Sequence, residues 1–189
     1  MSRYTGPSTK KDRRFGLLPE SPTEVKKPYR RRKSNYGIQL EEKQKLRHIY
    51  GLQEKQFRRY FRQAQKQPSN TGYVLLQQLE CRLDNIVYRL GFVKTRRAAR
   101  QLVAHGHVRV NDRKVDIPSY LVKIGEVITL TDTARSNVFI KEMIETTKDE
   151  QVAEWLKRKS GVGVVESLPV PDQLRQDIDL QLIVEYYSR

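Results

Sequence analysis

The sequence lacks most of what a disulfide framework, a membrane span or a compact enzyme requires. A single cysteine, Cys81, excludes a disulfide framework and a multi-cysteine zinc site. No apolar run approaches the roughly 20 residues that a transmembrane helix needs, and the beginning of the chain lacks the apolar segment of a secretory signal. Only 37% of the residues are hydrophobic, so we expect part of the chain to extend over a partner.

Catalytic and metal-binding patterns are missing as well. The three histidines, His48, His105 and His107, have no acidic or cysteine partners at ligand spacing, so we expect no metal site. There is no Ser/His/Asp set, no Cys/His set and no phosphate-binding loop. Gly161-Val162-Gly163 is half of a nucleotide-binding fingerprint, but it lacks the strand–helix context and predicts a turn. The sequence therefore predicts neither an enzyme nor a bound cofactor.

Acidic residues are scarce in the first two thirds of the chain. The net charge of +15 is made up of +13 over residues 1–66, +6 over residues 67–141 and −4 over residues 142–189. Solubility alone does not require blocks such as Tyr29-Arg30-Arg31-Arg32-Lys33, so the asymmetry predicts that one side of the molecule binds a polyanion. A membrane surface is also anionic, but the predicted helices need their apolar faces for a core.

The first part of the chain is predicted to be an arm followed by helices. Residues 1–36 contain four prolines and few apolar residues, and their aromatic residues alternate with Arg and Lys, a mixture that suits RNA. Helices are predicted over about 40–50, 53–66 and 73–90. The second of these has an apolar stripe at Phe57, Tyr60, Phe61 and Ala64, and its other face is cationic.

Residues 80–131 are the most informative segment, because the helical period gives way there to a strand period. Thr95 can cap a helix over 96–104, and Gly106 ends it. Apolar residues then alternate around Asn111–Lys114, which predicts a β-hairpin. Cations on the short helix and on the hairpin would form an L-shaped surface that recognises RNA shape and phosphates rather than base edges.

The remainder of the chain gives weaker patterns. Residues 127–130 and 162–168 are predicted to be strands. Residues 136–158 are predicted to be helical in two pieces, and residues 182–187 to be a short apolar strand or extended segment that packs on the stripe of Phe57–Ala64.

Several motifs in this order carry a resemblance to known proteins. Arg82–Phe92, Thr95–Val103, His105–Val108 and Val110-Asn111 resemble the αL RNA-binding module, which occurs in ribosomal protein S four, pseudouridine synthases, tyrosyl-tRNA synthetases and a heat-shock ribosome-rescue protein. Motifs outside the module resemble the small-subunit ribosomal protein S four family of the bacterial type. These motifs are Ser2–Pro7, Tyr36-Gly37, Leu40–Arg47, Tyr50-Gly51, Glu54–Tyr60 and Val184–Arg189.

The resemblance covers nearly the whole chain and implies an α+β fold. It implies a mostly helical domain with an inserted αL module of two helices and a small antiparallel sheet, preceded by an extended basic N-terminal arm. The implied domains are residues 1–39 for the arm, 40–79 plus 160–189 for the discontinuous helical domain, and 80–159 for the module and the helices after it. The arm departs from many family members, because it lacks a four-cysteine zinc site and is shortened.

The resemblance also implies a function. The expected role is a structural constituent of the small ribosomal subunit that binds small-subunit ribosomal RNA directly, as an early assembly protein that nucleates the body of the subunit and contributes to translational accuracy. The implied partners are that RNA, neighbouring ribosomal proteins including ribosomal protein S five, and messenger RNA near the entry path, with no membrane. The implied location is the cytoplasm, although a plastid ribosome remains an alternative.

Charge, pattern and resemblance together predict the RNA-binding residues. They are Arg3, Tyr4, Arg13, Arg14, Arg30, Arg31, Arg32, Lys33, Lys43, Lys45, Arg47, Tyr50, Lys55, Gln56, Arg58, Arg59, Arg62, Arg82, Lys94, Thr95, Arg96, Arg97, Arg100, Gln101, His105, His107, Arg109, Asn111, Arg113 and Lys114. Two other classes compete with this interpretation. An RNA-modifying enzyme would need a catalytic domain for which no segment is long enough, and a nucleoid or ribosome-rescue protein would not need the helical domain and the C-terminal motif.

Overall fold

The fold combines helices with one antiparallel sheet, which confirms the predicted α+β class. The computed structural model describes residues 6–17, 33–146, 152–159, 161–174 and 177–188. The helices are α1 (Thr9–Arg14), α2 (Asn35–Ile49), α3 (Glu54–Gln65), α4 (Thr71–Glu80), α5 (Leu83–Arg89), α6 (Arg96–Ala104), α7 (Asp132–Arg135), α8 (Val138–Thr146) and α9 (Leu180–Tyr187). The strands are β1 (Val108–Val110), β2 (Arg113–Lys114), β3 (Val127–Leu130), β4 (Leu156–Lys159) and β5 (Val162–Val165). None of the described helices is long and apolar enough to span a membrane.

The chain divides into two compact units. The first unit consists of Met1–Arg59 and Gln176–Arg189, and the second of Tyr60–Arg175. Strand β5 pairs with β3 and so belongs to the sheet of the second unit, whereas the sequence groups residues after 160 with the helical domain. The predicted domain boundaries therefore stay a prediction.

Helix α2 of the first unit begins earlier than the sequence predicts, inside the expected arm. The side chain of Ser34 accepts a hydrogen bond from the backbone N–H of Gly37 at 3.2 Å, which caps the helix. The helix ends before Gly51, whose φ of +61° is the left-handed conformation expected of a residue after a helix.

The C-terminal segment of the first unit is helical, which corrects the predicted strand. The carboxylate of Asp179 accepts hydrogen bonds from the backbone N–H groups of Gln181 and Leu182 at 3.0 and 3.3 Å. Helix α9 packs against α2, and the ring of Tyr187 stacks on Phe57 with centroids 6.1 Å apart. Phe57 of the predicted stripe does contact the tail, but the tail is a helix and its main neighbour is α2, which corrects the prediction.

The second unit contains two helices where the sequence predicts one over about 73–90. Helices α4 and α5 are separated at Cys81 and Arg82, because this dipeptide pairs with another segment. The backbone N–H of Val122 donates to the carbonyl of Cys81 at 2.9 Å, and the N–H of Leu83 donates to the carbonyl of Tyr120 at 2.8 Å. Leu79 and Leu83 on either side of the break are both buried, so the apolar pattern continues across it.

The sheet of the second unit has the strand order β2-β1-β3-β5-β4 and is antiparallel throughout. Its inner face packs on α5 and α6 through a core that includes Leu83, Leu90, Leu102, Ile128 and Leu156. Residues 156–158, which the sequence predicts to be helical, belong to β4 because this strand pairs with β5. Residues 147–151 of the second predicted helix piece lie outside the described residues.

Candidate RNA-binding surface

Helix α6 presents its N-terminus and two cations to solvent. The hydroxyl of Thr95 accepts a hydrogen bond from the backbone N–H of Ala98 at 3.1 Å, which confirms the predicted cap. The inner side of the helix is buried in the core, whereas Lys94 and Arg97 are exposed. A helix N-terminus favours anions, because its first N–H groups and the helix dipole both point toward them. Cations beside it make this end of α6 suited to a phosphate.

Arg96 and Arg100, which are predicted RNA-binding residues like Arg97, are less exposed than Arg97. The Arg96 guanidinium donates a hydrogen bond to the side-chain carbonyl of Asn85 at 2.7 Å and lies 4.5 Å from the centre of the Tyr88 ring. Arg100 lies 4.0 Å from a carboxylate oxygen of Asp84. Both side chains therefore turn toward α5.

The guanidinium of Arg82 is the centre of a buried polar cluster. It donates to both carboxylate oxygens of Asp84, at 3.0 and 2.7 Å, and to the hydroxyl of Tyr60 at 2.7 Å. Burial alone would lower the pKa of Arg82, but Asp84 and Tyr60 outweigh burial and raise the pKa above its ordinary value. Arg82 is 0% exposed, so its predicted place on the RNA-binding surface is wrong.

A second buried carboxylate, Glu80, orders the side chains around it. It accepts hydrogen bonds from the amide of Asn85 at 2.6 Å and from the Arg89 guanidinium at 3.0 and 2.7 Å. Since the other end of the Asn85 amide accepts from Arg96, the chain of contacts runs from Arg89 through Glu80 and Asn85 to Arg96. Glu80, Asp84 and Asn85 are not among the residues predicted from sequence. The available signal was three polar residues between the apolar positions of one predicted helix.

The hairpin between β1 and β2 carries the second group of cations. Its turn is the dipeptide Asn111-Asp112, with φ of +48° and +63°, which confirms the predicted tight turn. Asn111 has a structural role, because its side-chain carbonyl accepts from the N–H of Val127 at 2.9 Å. Arg109, Arg113 and Lys114 are exposed. Arg109 lies directly opposite Lys114 in the strand register.

In the first unit, several predicted RNA-binding residues are buried or bind other groups of the protein. The ammonium of Lys43 donates to Glu54 at 2.9 Å and lies 4.3 Å from the centre of the Tyr186 ring, and its side chain is 4% exposed. Arg47 also binds Glu54, at 3.0 Å, and Tyr50 is buried. Lys45 donates to the backbone carbonyl of Asp177. The structure thus corrects the prediction for Lys43 and Tyr50, whose side chains do not reach the surface.

The remaining predicted residues fall into three groups. Those exposed in the first unit are Arg13, Arg14, Lys33, Lys55, Arg58 and Arg59, with Gln56 half-buried. Those exposed in the second unit, beyond the ones described above, are Arg62, Gln101 and His105, with His107 half-buried. Those outside the described residues are Arg3, Tyr4, Arg30, Arg31 and Arg32.

The described residues offer little for catalysis. Burial raises the pKa of the Cys81 thiol to about 12, with a further contribution from Glu80, so the thiol is protonated and unreactive near neutral pH. The described ranges hold no group of three or more His, Cys, Asp or Glu side chains that could hold a metal ion. The expectation of a metal-free chain stays a prediction.

Comparisons with known proteins place this geometry in a family. A helix and a hairpin that present cations from a compact α+β module define an RNA-binding class of protein. Residues 3–80 match the family described as "Ribosomal protein S4/S9 N-terminal domain", and residues 81–128 match the "S4 domain". The chain is 48% identical to the small ribosomal subunit protein uS4 of Aquifex aeolicus and 46% identical to those of Exiguobacterium sibiricum and Geobacillus sp., in each case over 100% of both chains.

The chain belongs to the ribosomal protein S4 family, whose members are structural ribosomal proteins and not enzymes. The resemblance that the sequence motifs carry is thereby confirmed at the level of the family. The αL module that the sequence motifs resemble corresponds to the matched S4 domain, which contains α5, α6 and the hairpin.

Proposed function

We propose that the chain is a structural constituent of the small ribosomal subunit and that it binds small-subunit ribosomal RNA directly through its S4 domain. The observation that carries the proposal is the exposed pair Lys94 and Arg97 at the capped N-terminus of α6, in the same module as the cationic hairpin. Phosphate contacts of this kind position a protein on structured RNA without reading its sequence.

The buried polar side chains of Asp84 and Asn85 support the same proposal. Arg96 and Arg100 are long, flexible side chains, and binding would cost conformational entropy if they were unrestrained. Asn85 and Asp84 hold them from one side in the unbound protein. The two guanidinium groups are therefore held in place before the RNA arrives, and less entropy is lost on binding.

Finer parts of the role follow from the family and from the charge pattern. We propose that the chain binds early in assembly, nucleates the body of the subunit and contributes to translational accuracy. The proposed partners, besides RNA, are neighbouring ribosomal proteins including ribosomal protein S five, and messenger RNA near its entry path. The proposed location is the cytoplasm. We also propose that Met1–Arg59 and Gln176–Arg189, the first unit, form a discontinuous helical domain into which the S4 module is inserted.

A salt titration of RNA binding tests the proposal. Purified protein and in vitro transcribed small-subunit ribosomal RNA would be studied by filter binding. Each neutralised phosphate should contribute about −0.7 to −0.9 to the slope of log affinity against log salt. The double variant Lys94→Glu/Arg97→Glu should bind more weakly and with a shallower slope.

The matched control is Arg135→Glu/Lys141→Glu, which changes the net charge equally at two exposed positions of α7 and α8. A slope near zero for the wild-type chain would contradict direct RNA binding. Equal affinities for the two double variants would contradict the placement of the site at α6.

A further inference from the structure

The outer face of the sheet carries a row of cations that none of the described sites accounts for. The strand register places Lys114 opposite Arg109, Arg109 opposite Thr129, Thr129 opposite Val162, and Val162 opposite Lys159. These five residues therefore form one cross-strand row through all five strands. Their alternate neighbours, such as Ile128, face the core, so the row lies on the opposite side of the sheet.

The ends of the row are cationic and its middle is nearly neutral. With strands about 4.8 Å apart, the four intervals from β2 to β4 span roughly 19 Å. Lys157 lies on the same face of β4, two residues before Lys159, and is also exposed. Thr129 and Val162, in the middle, are only partly buried. The face therefore has positive charge on both edge strands, and the small side chains of Thr129 and Val162 form an uncharged surface in the middle.

The arrangement costs stability within the protein, which indicates a role outside it. Two like charges directly opposite each other in a sheet are destabilising, and Arg109 and Lys114 are such a pair. Among the described residues, no ion-pair partner is found for Arg109, Lys114 or Lys159. Lys157 forms an ion pair with Glu166, but both side chains are exposed, so the pair contributes little and can exchange for a phosphate.

We propose that this outer face is a second RNA-binding surface of the S4 module, with Lys157 and Lys159 as phosphate-binding residues that complete the hairpin's group of cations. The inference rests on the proposed function and extends it. Because α6 packs on the inner face of the sheet, the module would contact RNA backbone on two sides. The middle of the row has no aromatic side chain for base stacking, so the ligand is the sugar–phosphate backbone of a structured segment.

The test neutralises the two lysines that only this inference assigns to RNA. Lys157→Gln/Lys159→Gln would be compared with Arg135→Gln/Lys141→Gln, which removes the same charge from exposed positions of α7 and α8. Filter binding to small-subunit ribosomal RNA would be measured over a range of salt. The slope of log affinity against log salt should become shallower by about 1.4 to 1.8 for the β4 variant, and by much less for the control. The emission of Trp155, which is buried beside β4, reports that both variants are folded.

The other outcomes are distinct. The proposal is wrong if the β4 variant keeps the wild-type slope. It is also wrong if the slope falls equally in both variants, because the long-range electrostatic field of the protein would then explain the loss. If the β4 variant keeps the wild-type slope but fails to enter reconstituted small subunits, the face binds an acidic protein, which also overturns the proposal. A flat slope for the wild-type chain would instead overturn the proposed function itself.

Discussion

The ion-paired cations around Glu54 in the first unit and the hairpin cations of the second unit use positive charge in opposite ways. In the first unit, Lys43 and Arg47 both bind Glu54, and Lys43 also lies over the ring of Tyr186. In the second unit, Arg109 and Lys114 lie side by side on the hairpin with no acidic partner among the described residues. Ion-paired cations such as Lys43 stabilise the fold. The like-charge pair on the hairpin destabilises it and is available to bind an anion.

The comparison shows why a count of cations overstates a binding surface. Lys43, Arg82 and Lys114 have the same weight in the prediction from sequence, since all three are among the predicted RNA-binding residues. Burial separates them, because Lys43 and Arg82 are 3% and 0% exposed while Lys114 is exposed. A buried cation must be paired, so its carboxylate partner is the feature that distinguishes a structural cation from an RNA-binding one.

The largest effect should come from the buried cation of the second unit. Replacing Arg82 by Met leaves the carboxylate of Asp84 buried, and among the described residues the remaining cation in ion-pair range is Arg100 at 4.0 Å. Removing one partner of a buried pair costs about 3–5 kcal/mol, so urea unfolding followed by Trp155 fluorescence should show a large loss of stability. The exposed Arg135→Met is the control and should change stability by less than about 0.5 kcal/mol.

A second substitution sharpens this result. In Arg82→Met/Asp84→Leu the orphaned charge is gone, and much of the lost stability should return, because an apolar pair can replace a buried ion pair. If the double variant were as unstable as Arg82→Met, the packing of the Arg82 side chain, rather than its charge pair, would be the stabilising contact.

The same cluster shows what the sequence could predict and what it could not. The cap at Thr95, the left-handed Gly106 and the turn at Asn111-Asp112 were predictable, because each depends on the chemistry of one or two residues. The break between α4 and α5 was not. The apolar spacing continues across the break. The break arises because the backbone of Cys81 pairs with Val122, which lies 41 residues later in the chain.

Two further errors have related physical causes. Residues 156–158 belong to a strand because β5 supplies their hydrogen-bond partners, and local pattern cannot show a partner. The β-forming residues at the C-terminus are helical because Asp179 caps the segment and α2 covers it. For the site, the exposed cations were predictable by type, but their internal partners Asp84, Asn85 and Glu54 required the fold.

A smaller effect is expected from the carboxylate of the first unit. Burial would raise the pKa of Glu54, but hydrogen bonds from Lys43 and Tyr187, together with the charges of Lys43 and Arg47, hold it below its ordinary value of 4.5. A carboxyl group with a lowered pKa stabilises the folded state above its unfolded pKa, and this contribution is lost as the pH falls through the folded pKa. Glu54 therefore contributes fully near neutral pH and progressively less below 4.5.

The comparison of wild type with Glu54→Gln isolates this contribution. Near neutral pH the variant should be less stable by roughly 1 kcal/mol, because the carboxylate is partly exposed and its contacts are partly screened. The difference should shrink as the pH is lowered, since a protonated Glu resembles Gln. Urea unfolding followed by far-UV circular dichroism at several pH values measures it, with the exposed Glu145→Gln as control. A difference that stays constant with pH would show that the ion pairs of Glu54 do not stabilise the fold.

The smallest effect on stability is expected on the hairpin, and it should have the opposite sign. Arg109→Thr removes the like-charge pair with Lys114 and adds a residue that favours strands, so the second unit should become more stable by a few tenths of a kcal/mol. The same change should weaken RNA binding and reduce the salt slope by about 0.7 to 0.9, because one phosphate contact is lost. Arg113→Thr is the matched control. Arg113 lies opposite Val110, so its replacement removes no like-charge repulsion across the strands. A loss of stability in Arg109→Thr would mean that Arg109 supports the fold, and the hairpin would then resemble the first unit rather than contrast with it.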